Sequence, residues 1–128
     1  MKLLLDTHVW LWALSDPSRL SRRVRAELTR PENELWLSPV STWEALLLNA
    51  RGRIRLPVNL ADWLANSTGH LREAPFTHEI VLLSQQLPLP HRDPADRFLA
   101  ATAQVMDLTL VTADDQLLSL GTIRTMKN

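Results

Sequence analysis

A run of apolar residues, Leu3-Leu4-Leu5, stops abruptly at Asp6-Thr7-His8. A short hydrophobic stretch ending in an acid and a hydroxyl predicts a buried strand that delivers polar side chains to the rim of a sheet. Val9, Trp10, Ala13 and Leu14 then recur at helical spacing until Asp16-Pro17, which predicts a helix over 7–14. Leu20, Val24 and Leu28, with arginines between them, predict a second helix over 19–29, closed by Arg30-Pro31. Leu35, Trp36 and Leu37 mark a second strand over 34–38, stopped by Pro39. Ser41, with Glu44 three residues later, has the form of a capping box and predicts a helix opening at Ser41 and running to Asn49.

The segment 51–57, RGRIRLP, breaks the pattern and reads as a turn with a short extended piece. A helix is expected over 59–66, a strand over 72–76, and a helix over 77–86 with Thr77 as its N-cap. Leu87-Pro88-Leu89-Pro90 forces extended chain. Asp93-Pro94-Ala95-Asp96 places Asp at the N-cap, Pro at the first helical position and Asp in the first turn of a helix reaching Met106. Residues 108–112 predict a buried strand ending in Ala113-Asp114-Asp115, followed by a short helix over 116–120 with Gly121 just past its end and an edge strand over 122–125. Strands alternating with helices predict an α/β fold built on a parallel sheet. The absence of repeats or low-complexity linkers, at 128 residues, predicts one domain over 1–128.

Composition changes this picture in three places. Lys+Arg and Asp+Glu each number 14, so no global basic field announces a polyanionic partner. The arginines cluster early (Arg19, Arg22, Arg23, Arg25, Arg30, Arg51, Arg53, Arg55) and the aspartates late (Asp93, Asp96, Asp107, Asp114, Asp115). With no cysteine, disulfides, thiolate metal sites and cysteine nucleophiles drop out together. The first residues lack the pattern of a signal peptide, and no run approaches the roughly 20 apolar residues of a membrane span; a soluble, cytoplasmic protein with no membrane partner is expected.

In a parallel α/β unit the C-termini of strands and the N-termini of helices share one edge of the sheet. Asp6 follows a strand, Glu44 lies early in a helix, Asp96 sits in the first turn of another, and Asp114 follows the strand over 108–112, so all four belong to that edge. Four carboxylates brought together repel one another unless a cation stands between them. A hard divalent ion, Mg²⁺ or Mn²⁺, takes oxygen ligands and completes its shell with water and phosphate oxygens. Such a site polarises a phosphodiester and activates water for in-line hydrolysis without a protein nucleophile. Each acid also has a purely structural role open to it: Glu44 in its capping box, Asp93 as an N-cap, Asp96 on the helix dipole, Asp114 or Asp115 capping the last helix, Asp6 capping the helix after it. Their coincidence on one edge favours the functional role. Thr7 and Thr112, each beside an acid, are suited to positioning a carboxylate or a water. His8 reads as a packing or hydrogen-bonding residue, His91 as a residue able to meet substrate, and Arg97 as a guanidinium able to neutralise one acid or touch substrate. Arg22, Arg23, Arg51, Arg53 and Arg92 are available to guide a nucleic-acid backbone. The five tryptophans read as core or interface residues.

The stretches LLLDTHVWLWAL, SPVSTWEALL, LPLPHRDPADRFLAATA and LTLVTADDQLL, in that order and at this length, resemble the PIN-domain toxins of the VapC family over essentially the whole chain. The resemblance implies a PIN-like three-layer fold, a central parallel β-sheet flanked by α-helices. It also implies a metal-dependent endoribonuclease that acts on RNA as the toxin of a type II toxin–antitoxin pair, forms a homodimer and is silenced by a cognate antitoxin. Carried over residue by residue, the family acids fall on Asp6, Glu44, Asp96 and Asp114, with Thr112 as the threonine before the last acidic pair. A variable fifth acid falls on Asp115, and Asp93 fills a position often occupied by Asp. Where many members place a further acid, this chain has Gln116 and Leu117. Two other classes stay open. A catalytically degenerate member would serve in RNA binding or dimerisation. An aspartyl-phosphate phosphatase with Asp6 as nucleophile would need an acid two residues on, where His8 stands, and a nearby lysine, of which the chain has only Lys2 and Lys127.

Overall fold

The computed structural model describes residues 1–90 and 93–128. Among these, five strands form one sheet in the order β3-β2-β1-β4-β5, every neighbouring pair parallel. The strands are β1 (Lys2–Leu5), β2 (Glu34–Leu37), β3 (Arg72–Glu73), β4 (Thr109–Thr112) and β5 (Arg124–Lys127). The helices are α1 (Thr7–Ser15), α2 (Arg22–Thr29), α3 (Pro39–Ala50), α4 (Leu60–Thr68), α5 (His78–Gln86), α6 (Pro94–Met106) and α7 (Asp115–Leu118).

Successive side chains of a strand point to opposite faces, and β1 shows what this achieves. Leu4 joins a core with Leu99, Leu110 and Leu117 from α6, β4 and α7. Leu3 and Leu5 join a second core with Val9, Trp10, Val24 and Val111 from α1, α2 and β4. All three leucines of the central strand are buried, so both faces of the sheet are covered and the layers run helix, sheet, helix, as expected.

Five local expectations are corrected. α3 opens at Pro39, not Ser41: the Ser38 hydroxyl accepts from Val40 N at 3.0 Å and Pro39 fills the first helical position, where a missing N–H costs nothing. Ser41 is therefore buried inside the first turn and Glu44 is not part of a capping box. The helix expected over 19–29 is split. A 3₁₀ turn over Pro17–Arg19 is followed by extended, buried Leu20, and α2 begins after Ser21, whose hydroxyl accepts from Val24 N at 3.1 Å. β3 pairs over only two residues because its partner β2 ends at Leu37, after which Ser38 caps α3; the last bond of the ladder is from Ala74 N to Leu37 O. β5 begins at Arg124, two residues later than expected, in register with Thr109 of β4. Gly121 is not a left-handed cap; α7 ends at Ser119, which donates back to Asp115 O, and the left-handed caps fall at Gly52 (φ 72°) and at Asp107 (φ 55°), which ends α6.

Candidate functional site

Because all five strands are parallel, β1 and β4 end at the edge where α1, α3, α6 and α7 begin. A cavity of about 410 Å³ opens there, lined by Asp6, His8, Val9, Trp12, Glu44, Asp93, Asp96, Ala113 and Asp114. All four acids expected to meet, and Asp93 with them, lie on this one wall. A larger hollow of about 550 Å³ lies between α3, α4 and the β2–β3 edge. Its lining is mainly apolar, so the smaller, acidic one is the candidate site.

Asp6 is the most buried of the acids, 8% exposed. Its Oδ1 accepts from Thr7 N at 2.8 Å, and its Oδ2 accepts from the buried Thr112 hydroxyl at 2.6 Å. Thr112 Oγ1 in turn accepts from Asp114 N at 3.1 Å, tying the tips of β1 and β4 together. On the other side of Asp6, the buried Thr7 hydroxyl donates to Glu44 Oε1 and shares a 2.9 Å hydrogen bond with Ser41 Oγ. Thr7 thus holds two carboxylates at once, one through its backbone and one through its side chain.

Burial pushes the Asp6 carboxyl above the ordinary 3.8, with Asp114 adding to the rise and the bonds from Thr112 and Thr7 opposing it. Glu44 is raised as well, first by burial and then by the charges of Asp93 and Asp6, against the Thr7 hydrogen bond. Each of the two carries the electrostatic mark of its acidic neighbours.

The structural roles weighed for the acids also exist. Asp6, Asp93 and Asp114 are the N-caps of α1, α6 and α7, each accepting backbone N–H through Oδ1. A carboxylate has about four acceptor positions, so capping fixes its orientation without exhausting it.

Other expected residues are placed elsewhere. Asp115 lines a different hollow with Pro88, Leu89 and Gln116, away from the acid wall. The described bonds of Arg97 go to carbonyls, from Nε to Ser84 O and from its two terminal nitrogens to Leu89 O and Leu87 O. This braces the Leu87–Pro90 stretch between α5 and α6. Arg51 and Arg53 follow the far end of α3, whose twelve residues span about 18 Å, so they lie at the opposite edge from the acids. Arg22 opens α2 next to Ser21, whose N–H bonds Asn128 Oδ1, while Asn128 N bonds Thr112 O; that end of α2 is at the acid edge. His91 and Arg92 lie outside the described residues. Sequence reasoning missed His8 and Trp12 as cavity residues, although an i, i+4 pair directly after the strand-tip acid signals a shared face. It also took Ser41 for a cap.

Among the described residues, no group of three or more carboxylate and imidazole side chains is already arranged to hold a metal ion. The donor set still suits a hard divalent ion: it consists of carboxylate oxygens, those of buried Asp6 and half-buried Glu44 repelling one another, and such ions keep several water or phosphate ligands. Among the described residues no helix is long and apolar enough to cross a membrane.

Residues 3–122 match the family model of the PIN domain. The chain is 33% identical over 118 residues to ribonuclease VapC22 of Mycobacterium tuberculosis (strain ATCC 25618 / H37Rv), covering 91% of this chain and 90% of that protein. Among solved structures, VapBC2 from Rickettsia felis bound to a DNA fragment from their promoter superposes with a TM-score of 0.74 at 16% identity, covering 99% of this chain and 98% of the other. FitAcB from Neisseria gonorrhoeae superposes with a TM-score of 0.65 at 23% identity, over 98% and 96% of the two chains.

Proposed function

Because this chain belongs to the PIN-domain family, and within it to the VapC ribonucleases, we propose that it is an endoribonuclease, the toxin of a type II toxin–antitoxin pair. Residues 1–128 act as one PIN domain that hydrolyses RNA phosphodiester bonds with Mg²⁺ or Mn²⁺. The observation that carries this reading is the single cavity onto which four separate elements deliver Asp6, Glu44, Asp96 and Asp114.

Asp6, Asp96 and Asp114 would hold the ion, with Glu44 as a further ligand or as acceptor from an ion-bound water. When bound, the ion supplies Lewis-acid activation of the scissile phosphate and of water. The chain's own residues supply orientation. Thr112 and the Thr7 N–H fix Asp6, the Thr7 hydroxyl fixes Glu44, and Asp93 adds negative potential at the rim. The solved complexes that share this fold support an antitoxin protein as partner; homodimerisation and a cytoplasmic location follow from the family resemblance.

The test is cleavage of a cellular RNA pool by antitoxin-free protein in Mn²⁺ and in EDTA, beside Asp6→Asn, with fragment ends sequenced. Discrete cuts that vanish in EDTA and fall by on the order of 100-fold or more in Asp6→Asn are expected. No cutting by folded, ion-loaded protein would sink the reading.

A further inference from the structure

The cavity wall continues outward along α1. His8 and Trp12 are four residues apart on one helix face and both line the cavity. Their rings are 5.8 Å apart, centroid to centroid, at 50°. Beyond them the guanidinium carbon of Arg19 lies 4.6 Å from the Trp12 ring centroid. His8 and Arg19 are exposed, and the half-buried Trp12 is the fixed middle of the row. Among the described residues no carboxylate forms an ion pair with Arg19.

The backbone that carries Arg19 is anchored to the acid edge. Arg19 N donates to Asp16 O at 3.0 Å, and Arg19 O accepts from Asn128 Nδ2 at 3.2 Å. Asn128 N donates to Thr112 O at 2.9 Å, and Thr112 is the residue whose hydroxyl holds Asp6. A planar cation thus stands against Trp12, which itself lines the cavity together with five carboxylates.

We infer that Arg19, braced by Trp12 and assisted by His8, forms the subsite that seats the nucleotide beside the scissile phosphate of single-stranded RNA; this rests on the nuclease reading above. Acidic walls alone repel a polyanion, so the approach needs a cation outside them. A guanidinium offers N–H donors at its edge to phosphate and a flat face to a base at the same time. Trp12 holds the guanidinium from one side, and the exposed Arg19 would take the base on the other. Only an unpaired base presents its π-face, which selects single strands over duplex. Because the guanidinium is already held on Trp12, little side-chain freedom is lost on binding.

The test uses Arg19→Gln and Arg19→Lys, at an exposed position that the core does not use. Binding of a fluorescein-labelled, unstructured oligoribonucleotide is followed by anisotropy in Mn²⁺, in an Asp6→Asn background that does not cut. Cleavage of the RNA pool is followed in the otherwise unaltered protein. Arg19→Gln is expected to weaken binding about tenfold and to reduce the slope of log affinity against log salt by about 0.7. Arg19→Lys should restore the slope but not the base preference beside the cut. Equal affinity, slope and flanking-base frequencies in Arg19→Gln would overturn the subsite while leaving the nuclease intact. Arg19-dependent binding without any cutting by the unaltered protein would leave the subsite and refute the nuclease. A duplex bound as tightly and with the same dependence on Arg19 would overturn the stacking role.

Discussion

Asp6 caps α1 and also buries a carboxylate, two roles with opposite energetic signs. Its raised carboxyl means that the folded state binds the proton more tightly than the unfolded chain does. The resulting stability is fully present below the unfolded value near 3.8 and is lost as pH rises through the folded value, so at neutral pH the buried charge is a net cost. Glu44, raised in the same direction, behaves likewise. Asp6→Asn should therefore stabilise the ion-free protein at pH 7 by on the order of 1 kcal/mol, seen as a higher Tm, and the gain should shrink as pH falls towards 4. Thermal melts in EDTA at both pH values check this, and a lower Tm at pH 7 would contradict the assignment. A divalent ion must compete with those raised protons, so Mn²⁺ affinity by calorimetry should weaken as pH falls, starting at a higher pH than for carboxyls of ordinary value. Thr7→Val keeps the backbone bond to Asp6 but removes the hydroxyl from Glu44. A 10- to 100-fold loss in kcat/KM is expected, at about the usual cost of an outer-shell change, with recovery in Thr7→Ser. That an acid and a threonine stand at the tip of the first strand was legible in the sequence. That Ser41 joins Thr7 was not, because the contact spans 34 residues and local pattern offered a cap instead.

At the scale of elements, the errors fall where two local signals compete. Ser38-Pro39 and Ser41 with Glu44 are both good helix openings; the first prevails because β2 ends at Leu37 and leaves Ser38 extended, poised to cap. Ser38→Ala should cost about 1 kcal/mol in urea unfolding. At the end of α6, Asp107 adopts the left-handed conformation, which is unfavourable for a residue with a Cβ. Its ion pair with Arg124 joins two side chains that are 85% and 64% exposed and adds little. Asp107→Gly should leave stability unchanged or raise it by up to about 1 kcal/mol; a clear loss would mean that the pair matters more than its exposure suggests. Helix existence was legible from period and caps, whereas the lengths of β3 and β5 were not, since a strand's extent is set by what its neighbour pairs with.

For the whole molecule, the parallel sheet is what turns scattered acids into a site, and β1 at its centre holds the two cores in one frame. Leu4, buried between α6, β4 and α7, should cost about 3 kcal/mol when truncated in Leu4→Ala, measured by urea unfolding. A much smaller loss would mean that the core collapses around it. The sequence by itself determined the alternation of strands and helices, the parallel class, and the edge to which Asp6, Glu44, Asp96 and Asp114 belong, because periodicity, caps and prolines act within a few residues and strand direction follows from the crossovers. Only the tertiary structure decided the rest. Asp93 joins the acid wall while Asp115 turns to another hollow. Arg97 braces a loop, Arg51 and Arg53 stand at the far edge, and His8, Trp12 and Arg19 line up beside the acids. Which side chains face one another across elements depends on sheet order and helix packing, and the contacts concerned join residues far apart in the chain, where no local pattern records them.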